Sequence, residues 1–245
     1  MPFTLVQSNV GHSVGVVGSF SVAFVSPVTK GNILVAVWTT GRPGLFSYNP
    51  ISDSQGNSWP FFFDGASLVG ANANMAFTTA GATGANTITL TASPTTFSGV
   101  NVCIAEYTLQ NPALDVTSGF DFASPYSTTT TRSSELVLSV NSDATAGSVF
   151  GVDNGFTLDI SNSNTDTTTS TIGLASKSLS APGLVTINWT GEQSSGCGSI
   201  FGIYAVGVSN PTTFEVSLFG VKHFVKEKEA GCVELPPEKH IKVVM

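Results

Sequence analysis

The chain has 245 residues, of which 41% are hydrophobic and only 10% charged, while about a quarter are Ser or Thr. Seventeen Phe and a mean hydropathy of +0.24 exclude a disordered Ser/Thr tract, which lacks the apolar area to offset chain entropy. A net charge of −7 with nine Lys and Arg argues against nucleic-acid binding, because phosphate contact requires clustered cations.

Along the chain, apolar residues recur with period two. The runs are Phe20-x-Val22-x-Phe24, Val35-x-Val37, Ile88-x-Leu90, Val100-x-Val102-x-Ile104, Leu136-x-Leu138, Ile172-x-Leu174 and Val185-x-Ile187-x-Trp189. Each predicts a strand with one apolar face and one face of Ser and Thr. Turn formers separate them, including Ser26-Pro27, Gly41-Arg42-Pro43-Gly44, Ser54-Gln55-Gly56-Asn57, Gly81-Ala82-Thr83-Gly84, Asn111-Pro112 and Ala181-Pro182-Gly183. The rhythm predicts an all-β, antiparallel two-sheet β-sandwich, jelly-roll-like, of about a dozen strands, with no helix of ten residues or more.

Charge marks one boundary. Residues 1–220 hold four basic and twelve acidic residues, whereas residues 221–245 hold five Lys and four Glu. A body over 1–208 followed by a C-terminal strand and charged arm over 209–245 is the expected organisation. Within the arm, Phe224, Val225, Lys226, Lys228, Val243 and Val244 are the candidate partner contacts, because apolar residues in a charged tail gain by burial.

No Lys or Arg precedes Lys30, so the basic start of a secretory signal is missing, and no stretch approaches the apolar length of a membrane span. Synthesis in a cytoplasm and no membrane insertion are expected. Cys103, Cys197 and Cys232 are widely spaced, without a C-x-x-C, and predict neither a disulfide framework nor a zinc site. Cys103 is expected to be buried within its apolar run.

Candidate chemistry is sparse. Gly11-His12-Ser13-Val14-Gly15 matches the nucleophile elbow G-x-S-x-G, but ten residues precede it, a strand-like run follows, and the later histidines, His223 and His240, lie in the tail. A chance turn is the expected reading. Glu106 is expected on a polar face; facing inward it would require a partner, Arg132 or a backbone donor. Asp159, Asn162, Asn164 and Asp166 form an oxygen-rich run with the composition of a Ca²⁺ loop, but lack its Gly and terminal Glu. Among the aromatics, Trp38 and Trp189 alternate with apolar neighbours and are expected in the core. Tyr48 and Trp59, beside turns, are the expected exposed pair and the candidate glycan contact.

Several phrases belong together: Ser26-Pro27-Val28-Thr29-Lys30-Gly31-Asn32-Ile33-Leu34-Val35, Asp53-Ser54-Gln55-Gly56-Asn57, Gly84-Ala85-Asn86-Thr87-Ile88-Thr89, Ile104-Ala105-Glu106-Tyr107 and Pro112-Ala113-Leu114-Asp115. Over residues 3–208 the chain resembles β-sandwich modules of bacterial surface proteins and of bacteriophage structural proteins. The resemblance implies a sandwich with a non-enzymatic, surface-presented role and no cofactor. With no signal in sight, the expectation is a virion structural protein, a capsid decoration or tail-associated component. It would be homo-oligomeric and bound to other virion proteins partly through its arm. The alternative is a glycan-binding adhesin or receptor-binding module at a cell surface.

Overall fold

In the computed structural model the chain divides into two compact units, Met1–Ala205 and Val206–Met245. The structure describes residues 3–40, 50–65, 72–92, 96–108, 111–118, 124–145, 147–163, 170–191, 196–205, 213–218 and 221–226. Among the described residues there is no helix, and every paired strand is antiparallel.

The first half of the body contains β1 (Leu5–Val17), β2 (Ser19–Ala23), β3 (Ile33–Thr40), β4 (Ile51–Asp53), β5 (Phe61–Gly65), β6 (Ala73–Thr79), β7 (Thr87–Thr91) and β8 (Phe97–Tyr107). The second contains β9 (Pro112–Thr117), β10 (Tyr126–Thr130), β11 (Glu135–Asp143), β12 (Gly151–Val152), β13 (Thr157–Asn162), β14 (Thr171–Leu179), β15 (Gly183–Ile187), β16 (Trp189–Thr190) and β17 (Gly196–Ala205). Two five-stranded sheets, β1-β8-β3-β6-β5 and β13-β14-β11-β17-β9, pack face to face. Smaller sheets, β2-β7-β4 on one side and β10-β15 with β12-β16 on the other, cover their outer faces.

The alternating pattern places three cores. Ile33, Val35 and Val37 of β3 meet Leu136, Leu138 and Val140 of β11 in the central core between the large sheets. The other face of β3, Leu34, Ala36 and Trp38, packs against Val22, Ile88 and Leu90 beneath the first small sheet. Val137, Ala175 and Ile200 pack against Val185, Ile187 and Trp189 beneath the second pair. Strands β3 and β11 are therefore buried along their whole length on both faces, which corrects the expectation of one half-exposed Ser/Thr face. The period-two reading located these strands but undercounted the layers, because an outer sheet converts a half-exposed face into an interior one.

Several polar residues at those interior positions are hydrogen-bonded. Trp189 Nε1 donates to Ser139 Oγ at 3.0 Å, and Tyr126 OH donates to Asn141 Oδ1 at 2.8 Å. Close packing also requires glycine at Gly198, where a Cβ would lie 2.4 Å from the Val140 carbonyl oxygen and 2.6 Å from the Tyr126 ring.

Strand directions give the body two ends. The chain leaves β3, β5 and β7, and returns into β6 and β8, at the Thr40 end; the second half does the same at the Asp143 end. Asn101 Nδ2 donates to the Ser170 carbonyl at 2.6 Å and Cys197 approaches the Gly65 carbonyl at 3.7 Å, so the two ends coincide. We call this end the tip and the opposite one the base.

The C-terminal unit contains a hairpin of β18 (Thr213–Leu218) and β19 (Val221–Lys226). Its register pairs Phe214 with Val225, Val216 with His223 and Leu218 with Val221.

Candidate functional site

At the base of the first half, Glu106 is fully buried, contrary to the expected polar-face exposure. Its Oε1 accepts the Thr29 N–H at 2.8 Å and Asn32 Nδ2 at 2.7 Å, and its Oε2 accepts Gln7 Nε2 at 2.6 Å. The inward carboxylate thus finds the required backbone donor, together with two side-chain amides, and fastens the β2–β3 connection to β1 and β8. Arg132 serves elsewhere: its guanidinium lies 3.8 Å from Asp115 and 5.0 Å over the Tyr204 ring.

The base of the second half carries a carboxyl pair that the sequence reading missed. Asp115 accepts the Thr131 N–H at 2.6 Å and the Thr131 hydroxyl at 2.5 Å, and Glu135 Oε1 accepts the Arg132 N–H at 3.2 Å. Burial and hydrogen bonding to Asp115 push the Glu135 carboxyl up to about 7. Burial also acts on Asp115, but the two Thr131 donors and Glu135 outweigh it and hold its carboxyl below the usual range. Only adjacency of β9 and β11 across β17 could have revealed the pair, since Asp115 and Glu135 are twenty residues apart.

The remaining candidates are dispersed. Gly11–Gly15 lies inside β1, an antiparallel strand with no helix after it, and His12 is exposed; the strand-turn-helix geometry of a nucleophile elbow is not formed. Trp59 is 5% exposed in the core beneath the small sheet, and its Nε1 donates to Asp53 Oδ2 at 3.1 Å. This corrects its expected exposure: Asp53 also accepts the Gln55 and Asn57 N–H groups at 3.0 Å, so the turn folds the indole inward. Tyr48 lies outside the described residues. Trp38 and Trp189 are core residues as expected.

Asp159 occupies a bulge in β13 and accepts the Tyr107 hydroxyl at 2.6 Å. Burial raises both groups, and the Asp159 charge raises Tyr107 further. Asn162 Nδ2 donates to the Gly11 carbonyl at 2.9 Å. These two calcium candidates are thus engaged within the fold, while Asn164 and Asp166 lie outside the described residues. Among the described residues, no group of three His, Cys, Asp or Glu is placed to hold a metal. Cys103 and Cys197 are buried, and burial pushes the Cys103 thiol up.

Of the arm contacts, Phe224, Val225 and Lys226 fall in β19; Lys228, Val243 and Val244 lie outside the described residues. By register Val225 shares a face of the ribbon with Phe214, whereas Phe224 and Lys226 share the other with Glu215 and Thr213.

Among the described residues, four buried polar atoms near the tip, Ser13 Oγ, Trp38 Nε1, Asn74 Oδ1 and Asn101 Oδ1, have no hydrogen-bond partner. Comparison with known protein families, with curated proteins and with solved structures returns no match.

Proposed function

We propose that this chain is a non-enzymatic structural component of an assembled particle, a bacteriophage virion protein of the capsid-decoration or tail-associated class, attached to its neighbours through the C-terminal unit. The supporting observation is the hairpin β18–β19. By register Phe214, Val216, Leu218, Val221 and Val225 share one face of a two-stranded ribbon with His223, and such a ribbon is marginal in water by itself. Burial of that face against a neighbouring chain supplies the missing layer. The body supports the same reading: its buried Glu106 and Glu135 and its half-buried Asp159 have hydrogen-bonding roles within the fold.

Truncation after Ala205 tests the proposal. The truncated body is expected to keep its thermal midpoint but to be absent from particles assembled in its presence. Incorporation at the full-length level would contradict attachment through this unit.

A second reading, a glycan-binding module, is favoured by the coincident tips with their unpartnered polar atoms rather than by Trp59. It predicts binding on a glycan array that is lost on Tyr48→Ala and retained on Trp59→Phe.

A further inference from the structure

We propose that residues 5–205 are two copies of one sandwich module, Leu5–Tyr107 and Pro112–Ala205, and that the face along which they pack is a self-recognition surface whose fitting partner is a second copy of that module.

The large sheets carry the same connectivity. Counting each half from its own first strand, β1-β8-β3-β6-β5 becomes β9-β17-β11-β14-β13, the order of the second sheet read from its other edge. Small-sheet partners correspond too, β2 pairing with β7 as β10 pairs with β15.

Register makes the correspondence residue-specific. Ile33 pairs with Tyr107 and Thr79 in the first half, and Leu136 pairs with Ile203 and Ser178 in the second. From these anchors, the bulge of β1 falls between Leu5 and Gln7, opposite Tyr107 and Glu106, and that of β9 between Leu114 and Val116, opposite the equivalent Ile203 and Gly202. The extra residue, Val6 or Asp115, occupies the same place in each module. Ser21 and Thr89 bridge their hydroxyls at 2.8 Å across β2–β7, and the equivalent Ser127 and Thr186 do so at 2.8 Å across β10–β15. The turns after Asp53 and Asp153 both return an N–H to the aspartate carbonyl at 3.2 Å, from Gly56 and Phe156. Bulges and bridges are features of a particular sequence's pairing rather than of sandwiches in general.

The packing of one module on the other is reciprocal at its centre: β3 packs on β14 as β11 packs on β6, and β8 packs on β14 as β17 packs on β6, whereas β13 lies closer to β1 and β8 than β5 does to β9 and β17. Contacts exchanged in this way are those of an approximate two-fold, the relation that isologous interfaces of identical subunits have. The coincident tips are what an axis along the strands produces. Each module also has a core of its own, beneath its small sheet, besides the one it shares.

The test uses the full-length chain with a protease site inserted between Asn111 and Pro112, cut after folding. Native mass spectrometry is expected to find the pieces paired. After separation in denaturant, each refolded piece is expected to regain a β-type circular dichroism spectrum and to form a homotypic dimer that the other piece displaces. Pieces that are unfolded alone, or folded but monomeric, overturn the proposal. Because a cut piece can aggregate through its bared apolar face, a second measurement keeps the chain intact. Ile88→Val in the first module and Val185→Ala in the second are each expected to accelerate amide exchange about tenfold in their own module, leaving the other at the wild-type rate. Equal acceleration across both modules overturns the proposal.

Discussion

The two halves of the body build the same sheet order from different residues, and their differences come in compensating sets. In the first half the β3 floor carries Trp38, flanked by Asn74 and Val102 and stacked on Phe62 at 5.8 Å. At the equivalent place in the second half the floor is small, Asn141 flanked by Gly173 and Gly198, and the bulk descends from above: Tyr126 over Gly198, Phe150 and Trp189 over Gly173. Interiors are close-packed, so one large side chain on the sheet and several on its cover are alternative fillings of one volume. The base shows the same exchange in polar form. The first half sets Asn32 beside Glu106, hydrogen-bonded at 2.7 Å, and the second sets Glu135 beside Gly202, where a Cβ would lie 3.5 Å from Glu135 Oε2. In both, a carboxylate receives the N–H of the same turn position, Thr29 or Arg132, although it arrives from opposite strands.

The comparison breaks most sharply at the small floor. Gly198→Val drives a branched side chain into the Val140 carbonyl and the Tyr126 ring, and is expected to cost about 3 kcal/mol or more in urea unfolding. The equivalent Val102→Ala only opens space beside Trp38 and is expected to cost about 1–3 kcal/mol. A tolerated Gly198→Val would mean that the cover is not as closely seated as described.

The carboxyl pair separates the halves by pH. The Glu135 carboxyl is raised to about 7 from 4.5, so its penalty is absent below about pH 4.5, grows as pH rises through the interval, and is complete above about 7. The lowered Asp115 acts in the opposite sense, its stabilisation disappearing as pH falls below its usual range. The thermal midpoint is therefore expected to fall by about 2–4 °C between pH 5 and 7.5. Glu135→Gln should flatten that slope, whereas a slope surviving the substitution would place its origin elsewhere.

The smallest expected effect concerns equality. Ser21→Ala and Ser127→Ala each remove one hydroxyl bridge between exposed strand faces, and each is expected to cost about 0.5 kcal/mol. Calorimetry giving clearly unequal costs would weaken the equivalence of the small sheets.

Much of the architecture was legible in the sequence. Val35-x-Val37, Ile88-x-Leu90, Leu136-x-Leu138 and Val185-x-Ile187 all lie in strands, because period two is a local property of a pleated chain. The duplication was not legible. Ile33-Leu34-Val35-Ala36-Val37 and Leu136-Val137-Leu138-Ser139-Val140 agree in pattern but in few letters, since burial on both faces asks only for apolar residues. Glu106 and Trp59 were misplaced for a related reason. A polar residue in a strand and an aromatic after a turn both suggest exposure, yet the donors around Glu106 come from β1 and from the β2–β3 connection, and the indole's acceptor is fixed by a turn that only the fold completes. The Asp115–Glu135 pair needed a register between strands that sequence alone does not supply.

If the two modules are interchangeable solutions of one design, a double-mutant cycle in the intact chain will show it. Glu106→Gly alone leaves the Thr29 N–H and Asn32 amide without their carboxylate, and Asn32→Glu alone sets a second carboxyl against Glu106; each is expected to cost about 2–3 kcal/mol. Made together they install the arrangement of the second module in the first, and the account predicts a coupling of about 2 kcal/mol in their favour. Costs that simply add would contradict it.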